Sequence, residues 1–102
     1  MIPASVRIFV CQVPQDMRRS FDGLTLAASE HLGEDVGSGA LFVFANKRRN
    51  RIKVLWFDGN GHCILYKRLH RRRFELPSGR TIDARMLGLV LRGVESARGT
   101  AR

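Results

Sequence analysis

Arg51-Ile52-Lys53-Val54-Leu55-Trp56-Phe57-Asp58-Gly59-Asn60-Gly61-His62-Cys63-Ile64-Leu65-Tyr66-Lys67-Arg68 is the stretch that decides the fold. Two runs rich in strand formers, Ile52 to Phe57 and His62 to Lys67, flank the turn Gly59-Asn60-Gly61. Asn-Gly between apolar runs is the strongest short-range hairpin signal. A three-residue turn sets Lys53 opposite Lys67, and a two-residue Asn60-Gly61 turn sets it opposite Arg68. Either register places cation against cation, which destabilises an isolated hairpin. Both open ends of the hairpin are basic. Lys47, Arg48, Arg49, Arg51 and Lys53 lead in, Lys67, Arg68, Arg71, Arg72 and Arg73 lead out, and the topology puts the two clusters side by side.

That stretch holds the whole net charge. The chain has 18 Lys or Arg and 9 Asp or Glu, a formal +9. Ten of the cations and a single acid, Asp58, lie between Lys47 and Arg73, so the segment alone carries +9 and the rest cancels. A concentrated positive field recruits polyanions, most often nucleic acid. Fifteen of the eighteen cations are Arg, whose fork grips phosphate bidentately and stacks on bases. A solvated, charge-protected strand end is the plainer explanation for a short charge run. Ten cations against one acid favour polyanion binding instead.

Upstream, Val6 to Val13 is apolar on both faces and reads as a strand buried on two sides, stopped by Pro14. Ser20 is placed to cap a helix in which Phe21, Leu24, Ala28 and Leu32 recur at helical spacing, and Gly33 fits its C-terminal stop. Glu34 to Gly39 is a connector. It lacks the Lys-Ser/Thr ending of a phosphate loop. Leu41-Phe42-Val43-Phe44 is a further strand. Downstream, Phe74 to Leu76 and Arg80 to Ile82 around Pro77-Ser78-Gly79 predict a smaller hairpin. Asp83 caps a last helix carrying Met86, Leu87, Val90, Leu91 and Val94 on one side. The fold class is therefore α+β: one domain over residues 1–102, a mostly antiparallel sheet with a central hairpin, two covering helices, and a frayed tail after about Glu95.

At 102 residues, 44% of them hydrophobic, with six Phe, one Trp and one Tyr, the chain suits a folded globule rather than a disordered basic tail. No apolar run approaches the ~20 residues of a membrane span. Met1-Ile2-Pro3-Ala4-Ser5 does not read as a secretory leader. Cys11 and Cys63 sit in apolar strand-like runs and are read as free, buried thiols. Trp56 and Tyr66 are candidates for stacking on exposed bases. Their apolar neighbours make core positions the preferred reading for both. No helix carries a basic recognition face of the helix-turn-helix kind.

Catalytic readings find little support. A metal-dependent nuclease needs carboxylates converging on Mg²⁺, and nothing in the spacing of Asp22, Asp58 and Glu75 requires that. Asp58 suits a turn and Asp83 a cap. His31, His62 and His70 fall on different elements without zinc spacing, so no metal or cofactor is expected. Adjacent strand residues His62 and Cys63 point to opposite faces, which rules them out as a catalytic pair.

Three segments together resemble a known family: Asp16-Met17-Arg18-Arg19-Ser20-Phe21-Asp22-Gly23-Leu24, then Gly39-Ala40-Leu41-Phe42-Val43-Phe44, then Arg51 to Gly59 running on to Tyr66-Lys67-Arg68-Leu69 and Arg73-Phe74. The family is the accessory protein TnpB (second open reading frame) of the insertion sequence sixty-six elements, distinct from the RNA-guided nuclease of the same name. The likeness runs from about Ile2 to Pro77. Ser20 stands where the family's motif has Gly. The resemblance implies a non-catalytic bacterial protein encoded beside a separate transposase and needed for efficient transposition. Asp16, Arg18, Asp22 and Gly23 match its first motif, a local salt-bridged turn and helix start being the simpler role for them.

The expectation is thus a cytoplasmic, nucleoid-associated accessory factor that binds DNA through Lys47, Arg48, Arg49, Arg51, Lys53, Lys67, Arg68, Arg71, Arg72 and Arg73. Phosphate contacts would dominate and sequence preference would be weak. The rival classes are an adaptor docking on the transposase and an RNA-binding regulator.

Overall fold

A strand that is apolar on both faces needs cover on both, and β1 (Ile8–Val10) has it: all three residues are buried. The computed structural model describes residues 5–95. β1 is followed by α1 (Phe21–Leu32), a short 3₁₀ turn (Val36–Ser38), β2 (Leu41–Ala45), β3 (Arg51–Phe57), β4 (His62–Arg68), β5 (Arg72–Arg73), β6 (Thr81–Ile82), α2 (Ala84–Arg92) and β7 (Val94–Glu95). Five strands form one sheet in the order β4-β3-β2-β1-β6, with β5 and β7 paired separately. β1 and β2 are parallel and the other pairs antiparallel. The α+β class with a mostly antiparallel sheet and two helices therefore holds.

The two faces of the sheet bury separate cores. On one, Phe9, Phe42, Phe44 and Leu55 pack beneath Leu24, Ala27, Ala28 and Leu32 of α1, with the Phe9 and Phe42 rings stacked at 5.4 Å. On the other, Ile8, Val10, Val43, Ile52, Val54 and Phe74 meet Leu87 and Val90 of α2. Side chains alternate along a strand. Arg51, Lys53, Leu55 and Phe57 therefore share the α1 face, while Ile52, Val54 and Trp56 share the α2 face.

α1 ends as its sequence suggests. Gly33 is left-handed (φ 64°), and Gly33 and Glu34 donate their N–H groups to Ser29 and Ala28, closing the last turn. Ser20 does occupy the cap position, but its side chain makes no cap bond. The Asp83 carboxylate accepts the Met86 N–H at 2.8 Å and starts α2 as expected.

Several expectations are corrected. The strand read over Val6 to Val13 is shorter, Ile8–Val10, with its ladder bonds to β2 running from the Arg7 carbonyl to the Cys11 N–H. The central hairpin has neither proposed register. Phe57 pairs with His62, so the loop is the four residues from Asp58 to Gly61, held by the Asp58 carboxylate accepting from the N–H groups of Asn60 and Gly61. Lys53 accordingly faces Tyr66, and the opposed cations are Arg51 and Arg68. The smaller hairpin does not form. Thr81 and Ile82 pair with β1 at the sheet edge instead, where long-range ladder bonds outweigh a local turn. Val94 is in β7 rather than on the final helix, because Gly93 (φ 75°) ends the helix one residue earlier. The expected frayed tail lies outside the described residues.

Candidate nucleic-acid interface

The basic surface is organised by one turn. Between β2 and β3 the chain reverses over Asn46 to Asn50. The Asn46 side chain accepts from the N–H groups of Asn50 and Arg51 and donates to the Asn50 amide oxygen at 2.7 Å. Arg49 completes the turn in the left-handed region (φ 61°), and its carbonyl accepts the Phe74 N–H at 2.7 Å. That bond ties the Lys47–Asn50 turn to the segment that carries Arg71 to Arg73. The two sequence clusters are thus joined through backbone, as the hairpin topology requires.

Lys47 and Arg48 are exposed on a ridge with a groove on either side. One groove, about 550 Å³, is lined by the ridge with His70, Arg71, Arg72 and Arg73. The other, about 600 Å³, runs from the ridge past Arg51 and Tyr66 to Pro14, Asp16, Met17 and Arg18. Among the described residues the ion pairs are Arg18–Asp16 at 2.6 Å and Arg80–Glu34 at 2.9 Å; none of the ten basic-stretch cations is in one.

The ten cations nevertheless divide by what they touch. Lys53 is withdrawn from the surface, 7% exposed, and is a correction to the phosphate-binding set. Its ammonium donates to the Arg19 carbonyl at 2.7 Å and lies 4.7 Å from the centre of the Tyr66 ring. A buried charge is costly unless bonded, and these two partners give it the compensation it needs. It acts as a strut holding the segment before α1 against the sheet. Lys67 and Arg72 cap α2: Lys67 donates to the Leu91 carbonyl at 2.9 Å and Arg72 to the Gly93 carbonyl at 3.0 Å. Cations at a helix C-terminus satisfy orphan carbonyls and favour the helix dipole. Arg51 donates to the Tyr66 hydroxyl at 2.7 Å, which directs it away from the Arg68 it faces. Lys47, Arg48, Arg68, Arg71 and Arg73 are exposed, and Arg49 is half-buried in the turn.

The aromatic candidates separate. Tyr66 is not a core residue as the sequence suggested. It is 47% exposed on β4, the outermost strand of the sheet. Trp56 lies on the opposite face, half-buried against α2 beside Leu87 and Leu91. The two rings therefore cannot share one base.

Residues before α1 join the site, which the charge pattern alone did not show. The Asp16 carboxylate accepts from the Arg18 guanidinium and from the Arg18 backbone N–H, and these bonds, the side-chain one foremost, hold its pKa at about 2. The Arg19 guanidinium donates to the Gln15 side chain and to the Gly23 carbonyl. A Cβ at Gly23 would sit 3.1 Å from the Arg19 side chain, so the glycine makes room for that stem. The Asp16–Gly23 motif was the signal in the sequence, read there as a local turn. It is one, and it also walls the groove. Among the described residues no three His, Cys, Asp or Glu side chains come together as a metal site, and no helix is long and apolar enough to cross a membrane.

Known proteins share this chain's pattern. The family described as "IS66 Orf2 like protein" matches residues 6–101. The "Uncharacterized protein y4hO" of Sinorhizobium fredii is 36% identical over 101 residues, 93% of this chain and 88% of the relative. The "Uncharacterized protein y4jC" of the same organism is 35% identical over 72 residues, 71% of this chain and 62% of the relative. No solved structure matches.

Proposed function

The chain belongs to the IS66 Orf2-like family, a family of insertion-sequence transposition, and from that premise we propose that it serves transposition without catalysing it, as a DNA-binding accessory factor. The observation that supports this is the ridge and its two grooves: Lys47, Arg48, Arg49, Arg68, Arg71 and Arg73 gather at one end of the sheet, without a carboxylate partner among the described residues. Uncompensated cations repel one another, and a polyphosphate relieves that repulsion while releasing its own counterions. Lys67 and Arg72 add charge to the surface while remaining seated on α2. Lys53 takes no part in binding. The factor would act at the nucleoid, on element ends or on the transposase–DNA complex.

If about six phosphates are neutralised, affinity for duplex DNA falls about 10³-fold between ~50 and ~200 mM salt. Fluorescence anisotropy across a salt series measures it, beside a variant with Arg48, Arg71 and Arg73 changed to Gln. Those three are exposed, and among the described residues their side chains make no hydrogen bond or ion pair, so the variant should fold normally and show weaker binding with a shallower salt slope. A flat salt response in the parent protein refutes the proposal. Failure to bind DNA at low salt, with capture of the transposase in DNA-free buffer, would make the surface an adaptor for that protein.

A further inference from the structure

We infer that the groove between Tyr66 and the segment before α1 is a subsite for an unpaired nucleotide, so that the protein engages single-stranded DNA there rather than duplex alone. The inference rests on the DNA-binding reading and narrows its ligand. Its basis is the way Tyr66 is held. Lys53 lies against one face of the ring at 4.7 Å, and Arg51 fixes the hydroxyl at 2.7 Å, yet the residue is still 47% exposed. An exposed tyrosine normally rotates freely. This one is held by the Lys53 ammonium over the ring and by Arg51 at its tip, and the exposed residue lines the groove.

The exposed Pro14 and the largely buried Met17 line the same groove, together with the exposed Lys47 and Arg48. The space, about 600 Å³, falls within the roughly 300–1,000 Å³ of small-ligand sites. An aromatic platform beside a cationic track is the arrangement that binds single strands: bases stack and the backbone follows the charge. A base inside a duplex is already stacked on both sides and cannot reach the ring without being extruded. The Asp16 carboxylate in the same groove is neutralised by Arg18, so it does not repel phosphates held there.

The test compares a fluorescein-labelled oligodeoxythymidylate with a blunt duplex of equal length, at one low salt concentration. Tyr66→Leu should lose about tenfold on the single strand and change little on the duplex. Tyr66→Phe keeps the ring and should retain single-strand affinity. Equal losses on both forms, no loss on either, or a Phe variant as weak as the Leu variant would overturn the inference. A 5-bromouracil-substituted oligonucleotide, photocrosslinked to the unmodified protein, gives a second readout independent of any variant's folding. Its adduct should map to the peptide bearing Tyr66, and adducts confined to Arg71–Arg73 would count against the subsite. Steep, salt-dependent binding that ignores Tyr66 removes this inference alone. Absence of binding to either form removes the DNA reading as well.

Discussion

At the scale of single residues, two side chains near the basic ridge are set by opposite physics. Arg49 is held with φ at 61°, a region that costs an ordinary residue roughly 1–2 kcal/mol and costs glycine nothing. Arg49→Gly should therefore be more stable than Arg49→Ala by about 1 kcal/mol, the reverse of the usual order, as read by denaturant unfolding. Equal stabilities would mean that the turn relaxes. Asp16 is held by bonding rather than strain. Its carboxyl is lowered from 3.8 to about 2, first by the Arg18 side chain and then by the Arg18 N–H. A carboxyl with a depressed folded pKa contributes its stability above the unfolded value and loses it as pH falls towards the folded one. The Asp16–Arg18 contact should thus be complete above about pH 4 and fail as the pH drops towards about 2. An NMR carboxyl titration should place the Asp16 midpoint near 2 in the parent protein and return it towards the ordinary range in Arg18→Gln. An ordinary midpoint in the parent would show that the pair is not formed in solution.

At the scale of elements, the central hairpin, both helices and the buried first strand were legible because each is written locally, in period, cap or turn residues. The hairpin's register was not. It depends on the Asp58 side chain organising a four-residue loop, and a shift of one residue moved Lys53 from facing a cation to facing Tyr66. The partners of β5 and β6 were also hidden, since Thr81 and Ile82 join β1 from more than seventy residues away and no local pattern announces that choice. Gly93 shows how tightly such a late joint is built. It has φ 75° and ψ 170°, and a Cβ there would stand 2.6 Å from Leu69 and 3.0 Å from the Arg73 carbonyl. That backbone region is essentially restricted to glycine, at about 1–3 kcal/mol for other residues. Gly93→Ala should cost at least about 2 kcal/mol in chemical denaturation. It should also weaken DNA binding, because β5 carries Arg72 and Arg73. Unchanged stability would mean that β5 and β7 part easily.

At the scale of the whole molecule, the charge cluster was legible and its division of labour was not. Composition marks Lys53, Lys67 and Arg72 as no different from Arg71, yet one is a buried strut and two cap a helix. Burial on an interior strand distinguishes Lys53, and the reach of a long side chain to α2 distinguishes the other two; neither is visible before the layers are assembled. The balance of charge outside the cluster carries a consequence of its own. With all of the +9 between Lys47 and Arg73 and the remainder summing to zero, free copies repel one another through that one end. A polyanion seated there cancels the monopole and leaves an electroneutral body facing outward. Copies kept apart in dilute solution then lose their long-range colloidal repulsion and can crowd shoulder to shoulder along the same strand.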